Sequence, residues 1–274
     1  MFIQASVDSE NSEVRDKKRR RPKKADRPGK PLPLLVRILM VPVRFITHTA
    51  LRLWTLTMYR PKPYFDYPSK SRHKLAAQPA VVISNHLAGS DGGLVMIYFY
   101  RNRFTAVVAR EWYNKMSFLI GPRIGVPVDR YRGGVYWLRE AVERTRKGRS
   151  ILIFPEGFVE KEKGHVTQFH PGFIQLARET GLPVIPLFIE GYYSRVITSR
   201  FRIAIGAPMQ LEAQGERTER EYFRDECLRF QHRVEELRDG MHARMELEKS
   251  KKRKKGADEA RKGGEANECS AKNE

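Results

Sequence analysis

Cysteine is scarce in this 274-residue chain: Cys227 and Cys269 stand far apart, one in a helix-like stretch and one in the tail. With neither C-x-x-C nor Cys/His metal spacing, the expectation is a reducing compartment and no metal site. Long uncharged apolar runs are missing too. The most apolar stretch, Pro33 to Tyr59 (PLLVRILMVPVRFITHTALRLWTLTMY), is interrupted by Arg37, Arg44 and Arg52. No run therefore approaches the roughly 18 to 20 residues that spanning a bilayer requires. A secretory signal is also lacking, since the first thirty residues are polar and then basic, without an apolar core. The chain is expected to remain in the cytoplasm. No internal repeat occurs.

Acidic residues are few beside basic ones, 32 against 52, for a net charge of +20. That imbalance speaks about partners and not about fold. Nucleic acid, an anionic membrane surface and phosphorylated small molecules all fit it. The basic residues concentrate in RDKKRRRPKK (Arg15 to Lys24) and KSKKRKK (Lys249 to Lys255), each in surroundings poor in apolar residues. Such stretches bury too little surface to offset the entropy of ordering, so 1–31 and 249–274 are expected to be disordered basic tails. What lies between, 32–60 and 61–248, suits one domain of ordinary size with a leading segment.

In that leading segment Pro42 is expected to kink or restart a helix, after which Arg44, His48 and Arg52 recur every four residues on one face. Phe45, Ile46, Leu51, Leu53, Trp54, Leu56 and Met58 occupy the others. This is the profile of an amphipathic helix or helical hairpin lying in a membrane interface, with the cluster at 15–24 as a second attraction. A pair of helices packed on the domain, with solvated arginines, is the alternative.

From Gln78 to Gly206 strand-like and helix-like segments alternate. AVVIS (80–84), FTAVVA (104–109), GVPV (125–128), SILIF (150–154) and PVIPLFI (183–189) are apolar at successive positions, as in strands covered on both faces. RFRIAIG (200–206) adds another. Helical spacing marks 133–148, and PGFIQLARETG (171–181) opens on proline and closes on glycine. The prediction is an α/β domain with a mainly parallel sheet flanked by helices. Beyond it, Phe223, Cys227, Phe230, Val234, Leu237 and Met241 trace one amphipathic helix laid on the core.

Ligands of α/β sheets bind beyond the carboxyl ends of the strands. His86 falls there, just after AVVIS, with Asp91 across a glycine-containing turn. A histidine so placed can act as general base, and an acceptor on its other ring nitrogen sets the tautomer. A His-x4-Asp spacing alone equally suits an aspartate that caps a helix. Two more strand ends present Asp129 with Arg130, and Pro155 with Glu156 and Gly157, so three strand ends could share one cleft.

Taken in order, the segments resemble the glycerolipid (lysophospholipid) acyltransferase family, whose first motif is N-H-x4-D. NHLAGSD (85–91) matches that motif, GVPVDR (125–130) the second, FPEG (154–157) the third and LPVIPL (182–187) the fourth. VVAREW (107–112) is similar to the family's F-V-A-K-x-E, with Arg110 for the lysine, and QFHPGFIQLARETG to its F-K-x-G-x-x-x-L-A stretch. The third motif departs from the pattern: F-P-E-G-T-R-S is usual, and Phe158-Val159-Glu160-Lys161 follows here, so no cation holds the arginine's place.

The resemblance implies transfer of a fatty acyl group from an acyl thioester of coenzyme A or acyl carrier protein to a lysophospholipid hydroxyl. Lysophosphatidic acid is the first candidate acceptor, and the departure leaves room for another lysolipid. His86 would be the base and Asp91 its partner; Arg110, Arg130 or Lys161 would meet the acceptor's phosphate; Pro155, Glu156 and Gly157 would shape its site. Backbone N–H groups there, or after His86, would meet the oxyanion. No bound cofactor is implied, and the place of work would be the cytoplasmic face of a membrane. Two rivals remain. Ser90 beside His86 and Asp91 suggests a serine hydrolase, but it lies in no G-x-S-x-G elbow. A non-enzymatic basic membrane- or nucleic-acid-binding protein suits the charge, but the basic runs carry no interleaved aromatics and no nucleic-acid motif, so nucleic acid is not expected.

Overall fold

A computed structural model describes residues 34–68, 75–76, 78–99, 102–114, 124–129, 135–159, 165–191 and 200–271. The strands are β1 (Lys62–Phe65), β2 (Val81–Ser84), β3 (Thr105–Ala109), β4 (Gly125–Val128), β5 (Ile151–Ile153), β6 (Val184–Glu190) and β7 (Arg202–Ile205). The helices are α1 (Leu34–Met58), α2 (Asp91–Tyr98), α3 (Tyr136–Arg146), α4 (Gly172–Thr180) and α5 (Glu219–Ala271). The strands form one sheet in the order β1-β7-β6-β2-β5-β3-β4. From β6 to β4 all neighbours run parallel; β7 is antiparallel to β6, and β1 is parallel to β7. This is the α/β architecture with a mainly parallel sheet and flanking helices that the alternating segments predict.

Central strand β2 shows why its sequence is apolar throughout. Successive side chains point to opposite faces, and both faces are covered: Val81 and Ile83 join one core cluster with residues of α3, α4 and α5, while Val82 joins the other beneath α2. Local signals set the helix limits. Gly181, with φ of 64°, closes α4 and returns its N–H to the Ala177 carbonyl. Thr218 and Glu221 exchange side-chain to backbone hydrogen bonds at the start of α5, a capping box.

Along α5, Cys227, Phe230, Val234, Leu237 and Met241 are buried in the expected seam. Burial, and secondarily the Glu226 charge, pushes the Cys227 thiol up to about 12, so its reactive thiolate is scarce at neutral pH. In a Cys269→Ser protein, iodoacetamide should leave Cys227 unmodified until denaturant is added. Rapid alkylation of the native protein would show that the seam is open.

Three features differ from expectation. β1 was not expected at all. Its sequence, KPYF, has neither alternation nor an apolar run, and its proline is tolerated because the strand lies at the sheet edge. Helix α1 continues through Pro42, so the helix does not restart there, one of the two expectations for that proline. Pro42 is exposed, so the carbonyl its ring leaves unpaired can be hydrated. Finally, α5 continues as helix through residues 249–271, the stretch predicted to be a disordered tail. That stretch lacks proline and is rich in Lys, Arg, Glu and Ala, which favour helix without tertiary contact.

Candidate active site

Strand β2 ends at Ser84, and the next two residues leave the sheet held by side chains. Asn85 is fully buried. Its amide donates to the Ile189 carbonyl at 3.0 Å and accepts the Ile189 N–H at 2.8 Å, continuing the β2–β6 pairing after the strand has ended. On the β5 side, the His86 N–H donates to Glu156 Oε2 at 3.0 Å, and Glu156 Oε1 accepts the Thr167 N–H at 3.1 Å.

The imidazole of His86 stacks on Phe154, with ring centroids 4.2 Å apart and planes 19° from parallel. Its Nδ1 lies 2.9 Å from Asp91 Oδ2. The His86 side chain is 18% exposed and that of Asp91 0%. The same Oδ2 accepts the N–H groups of Leu87 at 2.6 Å and Ala88 at 2.8 Å, so Asp91 at the start of α2 organises the whole turn. Because a carboxylate only accepts, Nδ1 carries the proton and Nε2 the lone pair. The Asp91 carboxylate thus holds both the imidazole and the turn that precedes α2. Ser90 is exposed and its side chain makes no cap hydrogen bond.

Arg110 follows β3 and Asp129 follows β4, the neighbouring strand; Nη1 and Oδ2 are 3.8 Å apart, each side chain 21% exposed. Arg130 and Lys161 lie outside the described residues. Pro155 and Glu156 are buried, so Glu156 faces the backbone under His86. Gly157, with φ of +76°, ends the Phe154–Gly157 turn with its N–H on the Phe154 carbonyl. It is a position that favours glycine. The amides of Leu87, Ala88 and Gly157 are thus already engaged by protein acceptors. Phe158 and Val159 are exposed where the third motif usually carries its cation. Asn85, Phe154 and Thr167 have site roles that the sequence did not reveal. The first two sit inside the quoted motifs, but pairing and stacking leave no spacing signature.

An α/β domain that presents an aspartate-held histidine beyond the ends of its parallel strands is equipped for general-base chemistry. Residues 68–190 match the family model described as Acyltransferase. The 1-acyl-sn-glycerol-3-phosphate acyltransferase of Limnanthes douglasii is 29% identical over 130 residues, 45% of each chain. The chloroplastic 1-acyl-sn-glycerol-3-phosphate acyltransferase BAT2 of Brassica napus is 27% identical over 157 residues, 53% of this chain and 42% of the relative. The chain thus spans about half the length of the curated relatives it matches. Among solved structures, the 1-acyl-sn-glycerophosphate (LPA) acyltransferase PlsC of Thermotoga maritima gives a TM-score of 0.47 at 20% identity, covering 73% of this chain and 87% of that one.

Proposed function

We propose that the chain transfers a fatty acyl group from a thioester of coenzyme A or acyl carrier protein to the free hydroxyl of lysophosphatidic acid, giving phosphatidic acid. The observation that carries this is the 2.9 Å contact between His86 Nδ1 and the buried Asp91, within the segment that matches the Acyltransferase family model. Nε2 takes the acceptor hydroxyl's proton as that oxygen attacks the thioester carbonyl. Asp91 stabilises the resulting imidazolium, which returns the proton to the departing thiolate as the tetrahedral intermediate collapses. Acyl transfer is direct, with no acyl-enzyme. Arg110 contributes to the acceptor's phosphate contact, together with Arg130 and Lys161.

Work at the cytoplasmic face of an anionic membrane belongs to the same proposal. Every described side chain of α1 from Leu39 to Ala50 is exposed, with Phe45 at 72% and Ile46 at 66%. Among the described residues no helix is long and apolar enough to cross a membrane, so α1 suits insertion along the interface. The strand register supports a common orientation. Lys62 pairs with Arg202, which pairs with Glu190, the residue after Ile189 to which Asn85 is bound. Helix α1 therefore joins the sheet at the end that carries His86. Helix α5 leaves there too, with His242 on Glu190 and Glu248 on Lys62, before its exposed run Lys249, Lys251, Lys252, Arg253 and Lys254. Apolar helix, cations and catalytic histidine then address one surface, with 1–31 adding attraction.

A second acceptor class is favoured by one observation. Phe158 is 49% and Val159 41% exposed where a phosphate-binding cation is usual, which suits a lysolipid without a phosphate monoester. A panel of acyl-CoA and acyl carrier protein donors against lysophosphatidic acid and other lysolipids, read by product mass, tests both. Phosphatidic acid should be the dominant product; acylation of a neutral lysolipid alone would establish the second reading.

A further inference from the structure

The first residues beyond β2 make no ladder pairing with the strand on either side, yet they carry the proposed base. On the β6 side Asn85 replaces the missing ladder with its own amide. On the β5 side the last paired residues are Ile83 and Ile153, so the His86 N–H points to where β5 no longer runs. Glu156, three residues past the end of β5, fills that gap with Oε2, and its other oxygen binds the Thr167 N–H. The side chain is fully buried. A buried carboxylate is costly unless hydrogen-bonded, and charge-assisted bonds to backbone N–H groups are short and stiff. Asp91 holds the imidazole and Glu156 holds the backbone from which that imidazole projects.

We infer that Glu156 is a positioning residue that acts through the main chain of His86 and does not contact the acceptor. It fixes the distance from Nε2 to the acceptor hydroxyl by clamping the His86 peptide to the 165–167 segment. The inference rests on the acyl-transfer reading for its kinetic test and on geometry alone for its second test. Glutamine is the informative replacement, because its single carbonyl can accept from only one of the two N–H sites, and its NH2 would oppose the donor at the other.

Wild-type and Glu156→Gln protein should be compared with a fixed acyl thioester and varied lysophosphatidic acid. A displacement of the base by a fraction of an ångström predicts kcat lower by about 10- to 100-fold, with KM for the acceptor within about twofold of wild type. A rise of about tenfold or more in acceptor KM at near-normal kcat would overturn the inference, for that is the mark of an acceptor contact. Hydrogen exchange of the peptide spanning 84–91 supplies the readout independent of activity. It should accelerate in the variant while exchange of β6 and α4 is unchanged; unchanged exchange at 84–91 would also overturn the inference. Should Glu156→Gln not fold, Glu156→Asp, whose shorter side chain loosens the clamp, takes its place in both measurements. Inactive wild-type protein with the predicted exchange change would count against the acyl-transfer reading and leave the positioning role standing.

Discussion

His86→Ala will fold normally and lose acyl transfer by about 10³-fold, within the 10²–10⁴ range typical of an oriented acid–base group. The side chain is only partly enclosed, stacked on Phe154 and bound to Asp91, so its removal leaves a small, solvent-accessible gap. Asp91 divides into two expectations that distinguish charge from scaffold. In Asp91→Asn, an amide oxygen at the Oδ2 position still accepts from Leu87, Ala88 and Nδ1, so the turn persists while the imidazolium loses its counter-charge. Activity should fall by about 10²-fold or more with thermal stability nearly kept. Asp91→Ala instead leaves three donors without an acceptor, at about 1–3 kcal/mol for each that stays buried. Its melting temperature should drop with its activity. Calorimetry beside initial rates checks all three variants. An Asp91→Asn protein with full activity would remove the counter-ion role.

The other large effect belongs to α1. Replacing Leu39, Phe45 and Ile46 together with serine should lower partition onto vesicles containing phosphatidic acid by about 10²-fold or more. Each large apolar side chain is worth about 1.5–3 kcal/mol when fully buried, and 1.4 kcal/mol is a factor of ten. These side chains are exposed, so the α/β domain should melt as before, and activity on monomeric acceptor in detergent should survive. Co-sedimentation measures the partition. Unchanged binding would mean that α1 covers something other than lipid.

How much was legible beforehand follows from what each segment must do locally. The central strands β2, β5 and β6 bury both faces and therefore spell themselves out in apolar runs such as VVI and VIPLFI. The His86–Asp91 contact is legible because the two residues lie five apart across one turn. Strand β1 is not, since its order comes from pairing with β7 along an edge and not from its own composition. Nor is the reversal of β7 relative to β6, which local sequence does not encode. Glu156 shows the same limit at the site. Its motif marks it as functional, but whether a carboxylate faces substrate or backbone is decided by where β5 stops relative to β2, a fact of register. At the C-terminus, KSKKRKK continues the helix begun at the Thr218 capping box, with its described side chains exposed.

Transfer of an acyl group to an alcohol, with His86 as the base, is the proposed reaction. It is tested most directly by following thiol release and lipid product together in purified wild-type protein given an acyl thioester, with and without lysophosphatidic acid. One thiol should appear for each phosphatidic acid formed, with little thiol release when the acceptor is omitted and little of either product in His86→Ala. Thiol release at the same rate without acceptor, yielding free fatty acid, would make the domain a thioesterase and contradict the account.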